Sequence, residues 1–403
     1  MQHRIVVLGA GYTGAVVAGR LAKRLHREDV AITLVNPEPE FVERVRLHQI
    51  AVGQELAPRP FDAMFAGTGV RLRLAKATAV DADRKRVTLS PVTAPGRTEE
   101  LEYDTLVYAL GSGWDDGGAP GTAEYAHEVS GRAGALRLRE RLAGLGAGRP
   151  VLVVGGGLTG LEAVTEIAEA RPDLDVALAT HGALGAEFSA KGRAHLRKVL
   201  DGLGVTVHEN TPVTAVAADR VTTADGRSLP AEVTVWTVGF AVHPIAGATT
   251  MEVTERGLIV VDETMRSVSH PDVYAVGDAA MALGPGGRPL RMSCASGVPM
   301  AWQAADAIAA RLTGAEVPRI DIRYTQWCVS LGRQEGLIQF VTAEDRAVER
   351  ALTGRLAARY KELICKGAAW GVAHPTLGMP GRRRRTVGAE VRTPDAVRAG
   401  TAA

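Results

Sequence analysis

Three glycines close a short apolar run near the start of the chain, in Arg4-Ile5-Val6-Val7-Leu8-Gly9-Ala10-Gly11-Tyr12-Thr13-Gly14. Gly-x-Gly-x-x-Gly directly after a buried strand suits the holding of a pyrophosphate. Gly9 allows the tight turn, Gly11 lets the backbone approach the phosphates, and Gly14 lets the next helix pack on the strand. Tyr12 and Thr13 open that helix, whose free N–H groups and dipole favour negative charge. One such turn is a weak signal, because glycine turns also arise for structural reasons. This chain has a second: Val151-Leu152-Val153-Val154-Gly155-Gly156-Gly157-Leu158-Thr159-Gly160 repeats the strand, turn and helix start.

Each turn needs a βαβ unit behind it. Ala15 to Leu25 reads as the first helix and Val30 to Val35 as the second strand. Asn36 stands where an acid ordinarily ends that strand and binds a ribose, and its amide oxygen still accepts a hydrogen bond. Phe41 to Gln49 is dense in polar groups and reads as a loop and helix, with Arg46 facing a cofactor or solvent. Val70 to Leu89 alternates like a hairpin, with Ala77 inside it. Tyr103 to Gly111 reads as a buried strand ending in glycine. The second half echoes this order. A helix from Gly160 carries Glu162 and Glu166 one turn apart, a strand runs from Asp175 to Ala179, and Ala231 to Phe240 is a strand whose end carries Gly239. The repeat therefore extends beyond the turns. Val273 to Ala280 is another strand, ending in Gly277-Asp278, and Pro299 to Leu312 reads as a helix.

The chain has 403 residues, 46% hydrophobic and 23% charged, with a net charge of +2. That composition suits a protein of two or three domains and gives no case for nucleic-acid binding. No secretory signal is expected, since the run Ile5–Leu8 is consumed by the turn. No run approaches the roughly 18 apolar residues of a spanning helix. A cytoplasmic protein, peripheral to a membrane at most, is expected. Cys294, Cys328 and Cys365 are sparse and lack metal-ligand spacing, so no metal site is expected. His48, His181 and His208 are scattered and read as surface or structural residues. The stripe Val348 to Ile364 reads as one face of a helix packed on the core. Arg382 to Arg385 begins a polar tail expected to lack fixed structure.

Together, the two glycine turns, the Tyr103–Gly111 strand and Val273–Ala280 resemble the two-dinucleotide-domain flavoproteins of the pyridine nucleotide-disulfide oxidoreductase superfamily, over roughly residues 4–340. The resemblance implies an α/β fold with two Rossmann-like dinucleotide-binding domains and a mixed C-terminal region. FAD would bind across 1–113 and 243–318, and NADH or NADPH would bind within 114–242. Residues 319–380 would form the C-terminal region, with a tail at 381–403. The implied FAD contacts are Gly9, Gly11, Tyr12, Thr13, Gly14, Asn36, Arg46, Ala77, Gly111, Gly277 and Asp278. Gly155, Gly157, Leu158, Thr159, Gly160 and Gly239 would serve the nicotinamide nucleotide. No cysteine precedes Cys294, so the places where disulfide reductases carry their pair are empty. The chain is then most similar to type II NADH dehydrogenase-like and apoptosis-inducing-factor-like proteins.

That resemblance places Glu162 near the nicotinamide and flavin. It places Gln303 near a quinone, although Ala307 stands where a second Gln is usual and Trp302 replaces a small residue. The implied activity is hydride transfer from NAD(P)H to flavin and then to a quinone or other small acceptor. Two rivals stand beside it. One is a flavoenzyme for a specialised metabolite, with Trp302 and Trp327 lining its pocket. The other is a slow NADH sensor. Thr180-His181 carries neither an acid to mark NADH nor an arginine to mark NADPH, so the nucleotide stays open. A homodimer is also allowed.

Overall fold

The computed structural model describes residues 1–378 and 382–387. β1 (His3–Leu8), α1 (Tyr12–Arg24) and β2 (Val30–Asn36) form the first βαβ unit. Short helices α2 (Leu47–Ala51) and α3 (Phe61–Met64) precede the strands β3 (Arg71–Asp81), β4 (Arg86–Pro91), β5 (Glu99–Glu102) and β6 (Thr105–Tyr108). β1 pairs in parallel with β2 on one side and β6 on the other. The full sheet has the order β18-β6-β1-β2-β3-β4-β5, where β18 is Val273–Ala275. Residues far along the chain therefore return to complete the first sheet. β1 and β6 are buried on both faces, as their unbroken apolar runs require.

The chain leaves through β7 (Ser112–Trp114) and comes back through β16 (Phe240–Val242), which pair antiparallel with each other. Between these crossings lie α4 (Thr122–Tyr125), β8 (Ala126–His127), α5 (Arg132–Ala143), β9 (Pro150–Val154), α6 (Leu158–Ala170), β10 (Asp175–Ala179), α7 (Ala190–Gly202) and β11 (Thr206–His208). An antiparallel trio follows, β12 (Val213–Val216), β13 (Arg220–Thr223) and β14 (Ser228–Pro230), then β15 (Val233–Trp236). The second sheet runs β11-β10-β9-β15-β8 and is parallel throughout. After β16, β17 (Ile259–Val260) and β19 (Ala280–Met281) form a small pair around β18.

α8 spans Cys294–Thr313, starting five residues before the expected Pro299. The proline is accommodated inside the helix, which buries one face against α1. Asp306 on α8 receives both Arg20, at 2.7 Å, and Arg24, at 2.9 Å, from α1.

The C-terminal region is an antiparallel sheet, β20 (Gln326–Leu331), β21 (Glu335–Val341) and β22 (Ala347–Thr353), followed by α9 (Arg355–Ala373). Two expectations fail here. Val348–Ile364 is not one helical face, because its first residues belong to β22. Nor does α9 bury its large side chains. Ala357, Cys365, Ala369 and Val372 face inward, while Leu356 and Leu363 are each 65% exposed and Tyr360 and Trp370 also face out. Gly336 brings β21 within backbone contact of Ala357 and Ala358, so only small residues fit beneath the helix. The arginine run is likewise docked, not free. Arg385 pairs with Asp29 at 2.8 Å, Arg383 donates to Ala22 O, and Arg384 bridges to Leu25. The rest of the expected tail, 381 and 388–403, lies outside the described residues.

Candidate functional site

Both glycine turns have the same local geometry. Gly9 has φ +90° and Gly155 has φ +117°, the left-handed region in which side chains are strained. A Cβ at Gly14 would collide with the Gly9 carbonyl, and one at Gly160 with the Gly155 carbonyl. These glycines bring each helix onto its turn. The middle glycines differ: a Cβ at Gly11 or Gly157 would meet nothing within 4 Å. Each is the N-cap of its helix, α1 or α6, with no side-chain cap and no acid in the first turn. Two helix N-termini thus present free N–H groups to open space, the arrangement that receives phosphate.

The first turn gathers most residues expected around it. Gly9 lies against the Ala109 carbonyl, which brings the 109–111 segment alongside. Gly277 and Gly297 both lie on Thr13, seating α8 and the Gly277-Asp278 turn against α1. Asp278 accepts a 2.6 Å hydrogen bond from Ser112 Oγ, tying that turn to the crossing strand β7. Gly111 has φ +70° and lies near Arg44. Asn36 Oδ1 accepts from Ala10 N at 3.0 Å, and its Nδ2 donates to Glu38 O. Its amide therefore braces the turn itself. Ala77 sits in β3 opposite Leu89, beside an irregularity in the β3–β4 register. At the second turn, Gly239 has φ +78° beside Asp115 at the paired crossings. Thr180 packs its methyl against Gly156, while His181 is exposed.

Between the units lies an arrangement that no local pattern signals. Glu162 on α6 is 9% exposed and pairs with Lys361 of α9 at 3.0 Å. It also accepts from Ser330 N at 3.0 Å and lies 3.9 Å from His48 Nδ1. Burial opposes its ionisation, but Lys361, His48 and the Ser330 amide outweigh burial and hold its pKa below the ordinary value. Lys361 is correspondingly held in its charged form despite burial. His48 is driven down to about 4, chiefly by burial, so it is neutral at pH 7. The neighbouring face of α6 is used the same way: Glu166 pairs with Arg333 at 2.8 Å and Thr165 Oγ1 accepts from Gly332 N. The two glutamates read from the sequence thus bind the C-terminal sheet. The scattered cysteines converge here as well. Lys361 donates to Cys328 O, Cys365 follows one turn later on α9, and burial raises all three thiols, Cys328 to about 11.

Two expectations shift. Gln303 is 2% exposed and uses both ends of its amide, donating to Pro318 O and accepting from Ile320 N. It fixes the 318–320 segment from a buried position, with both ends of its amide engaged. Arg46 is buried in a web of Glu43 at 3.1 Å, Glu362 at 3.0 Å and Gln49. Trp302 and Trp327 are absorbed by packing, one near Arg20 and the other bonded to Asp345. By contrast, Tyr12 Oη and His48 Nε2 are buried without a partner among the described residues.

A cavity of about 640 Å³ opens not at the glycine turns but between the 43–59 segment, the Ser330–Gln334 turn and α9. Ser330 and Lys361, both bonded to Glu162, belong to its lining.

Residues 3–309 match the pyridine nucleotide-disulphide oxidoreductase family. The chain belongs to this family. A NADH dehydrogenase-like protein of Mycobacterium tuberculosis is 31% identical over 318 residues, 74% of this chain and 78% of the relative. A demethylphylloquinone reductase of Synechocystis is 27% identical, with 69% and 72% covered. Among solved structures, NDH2 from Plasmodium falciparum in complex with NADH superposes with a TM-score of 0.77 over 95% of this chain and 99% of that one, at 14% identity. The sulfide:quinone oxidoreductase of Aquifex aeolicus gives 0.75 over 93% and 92%, at 19% identity. The chain is an FAD-dependent NAD(P)H oxidoreductase. Its two open phosphate cradles fit a bound dinucleotide pair. Among the described residues, no helix is long and apolar enough to cross a membrane.

Proposed function

We propose that the enzyme oxidises NAD(P)H through its flavin and passes the electrons to a quinone-type acceptor, with no protein disulfide in the path. The observation that carries this reading is the pair of matched cradles, each with an open middle glycine at an uncapped helix N-terminus. In this reading Gly9, Gly11, Tyr12, Thr13 and Gly14 hold FAD, with Asn36 bracing the turn and Ala77, Gly111, Gly277 and Asp278 around it. Gly155, Gly157, Leu158, Thr159, Gly160 and Gly239 hold the nicotinamide nucleotide. The flavin, when bound, supplies the electron-transfer chemistry. Glu162, kept ionised by Lys361, and His48, kept neutral by burial, set a fixed charge pattern where the two units meet. Quinone as acceptor is supported by the Synechocystis relative, a demethylphylloquinone reductase. A peripheral position at a membrane is supported by the outward stripe Leu356, Tyr360, Leu363 and Trp370 on α9.

The test is anaerobic stopped-flow mixing of FAD-loaded protein with NADH or NADPH, then with a short-chain quinone. Rapid bleaching by one nucleotide and rapid reoxidation by quinone are expected. Bleaching followed by slow reoxidation would favour the sensor reading, and no bleaching by either nucleotide would overturn the proposal.

A further inference from the structure

We infer that the 640 Å³ cavity is the acceptor site and that it selects a quinone-type ring bearing an acidic group. The inference rests on the reading of the enzyme as a quinone-type reductase and narrows its substrate class. Position is the first argument. The cavity reaches Glu162 through two of its own lining residues, Ser330 and Lys361. Its volume lies within the roughly 300–1,000 Å³ common for small-molecule pockets.

Charge is the second argument. Seven cationic side chains line the cavity against three carboxylates, those of Glu43, Glu55 and Glu362. Two of these carboxylates are already shared: Glu43 serves Arg46 and Arg59, and Glu362 serves Arg46 and Lys366. Glu162 and Glu166 neutralise Lys361 and Arg333 from α6. Arg355 and Arg359 remain, against the one carboxylate of Glu55, which has no cationic partner among the described residues. They stand one turn apart on α9, line the cavity and have no carboxylate partner among the described residues. Two guanidiniums at this spacing offer forked donors to a carboxylate or sulfonate. Leu56, Ala57, Ala358 and Cys365 add apolar surface for a ring.

The third argument concerns the neutral alternative. Gln303, the amide expected to meet a quinone carbonyl, is spent on the 318–320 backbone. Recognition by charge takes the place of recognition by that amide. The reaction balances without a further reagent: NAD(P)H gives two electrons and one proton, solvent gives the second proton, and both ring carbonyls become hydroxyls.

The test compares 1,4-naphthoquinone-2-sulfonate with 2-methyl-1,4-naphthoquinone on FAD-loaded enzyme, by steady-state reduction and by calorimetric binding to the oxidised protein. Wild type should favour the sulfonate in kcat/KM by at least about tenfold, as expected for a charge-assisted contact. Added salt should erode that preference. Arg355→Gln/Arg359→Gln should bring it close to one. Arg84→Gln, a substitution at an exposed hairpin remote in sequence from the cavity lining, should keep it. Both α9 arginines are exposed, so unchanged melting and flavin absorbance would show that the double variant folds. Equal use of both rings by wild type, or a preference that survives the double substitution, would overturn the inference. Arginine-dependent binding of the sulfonate without reduction of either ring would support the cavity's choice of an acidic ring and overturn the quinone-reductase reading.

Discussion

Replacing Lys361 with methionine removes one half of a buried ion pair and leaves the other in place. The side chains of Lys361 and Glu162 are only 13% and 11% exposed, and their charged atoms are 3.0 Å apart. Breaking such a pair from one side costs about 3–5 kcal/mol, because an uncompensated charge stays buried. Glu162 keeps its bond from Ser330 N, so a loss near the low end, about 3 kcal/mol, is expected at pH 8. For a chain of 403 residues that corresponds to a fall in melting temperature of about 3–4 °C. The pH dependence carries the stronger test. In the wild type the lowered pKa of Glu162 contributes stability above the unfolded value of 4.5, and that stability is lost as pH falls through the folded value. In Lys361→Met, burial is no longer outweighed and the folded pKa rises above the unfolded one. The destabilisation is then full at pH 8 and shrinks toward pH 5, as Glu162 takes up a proton. Differential scanning calorimetry of the FAD-loaded wild type, Lys361→Met and Glu162→Gln/Lys361→Met at pH 8 and 5.5 measures this. The double variant should melt closer to wild type than the single one, since a neutral Gln keeps the shape without the charge. A loss independent of pH and equal in both variants would refute the reasoning.

The open middle glycines make a paired prediction: Gly157→Val should retain flavin but raise the Kd for NAD(P)H at least about tenfold, while Gly11→Val should purify without flavin absorbance; ligand titration and visible spectra decide, since a Cβ at either position has no protein atom within 4 Å. Asp306→Ala strands the buried Arg20 and should cost about 3–5 kcal/mol in urea unfolding, whereas Arg24→Gln, whose own side chain is 39% exposed, should cost about 1 kcal/mol or less. Leu356→Glu/Leu363→Glu should leave melting unchanged, as both positions are 65% exposed, and should abolish cosedimentation with phospholipid vesicles; retained vesicle binding would remove the support for a peripheral membrane position.

What the sequence determined by itself was local. Gly9-x-Gly11-x-x-Gly14 and its copy at 155–160 are read from a few consecutive residues, because left-handed φ and close helix approach are demands that glycine alone meets cheaply. The buried strands ending at these turns follow from unbroken apolar runs, while the return of Val273–Ala275 to the first sheet was implied only by the family resemblance. Only the tertiary structure could decide what polar side chains far apart in sequence do to one another. Glu162, His48, Ser330 and Lys361 come from four separate elements, and each residue alone reads as an ordinary surface group. Their meeting turns Glu162 into a buried carboxylate held ionised at neutral pH and His48 into a neutral imidazole. The same holds for α9, whose apolar period was legible but whose inward face was not. Backbone contact at Gly336 admits only small residues there, so the large ones that hydrophobicity alone would bury are turned outward. Periodicity fixes which side chains share a face. Which face is covered depends on the shape of what it meets.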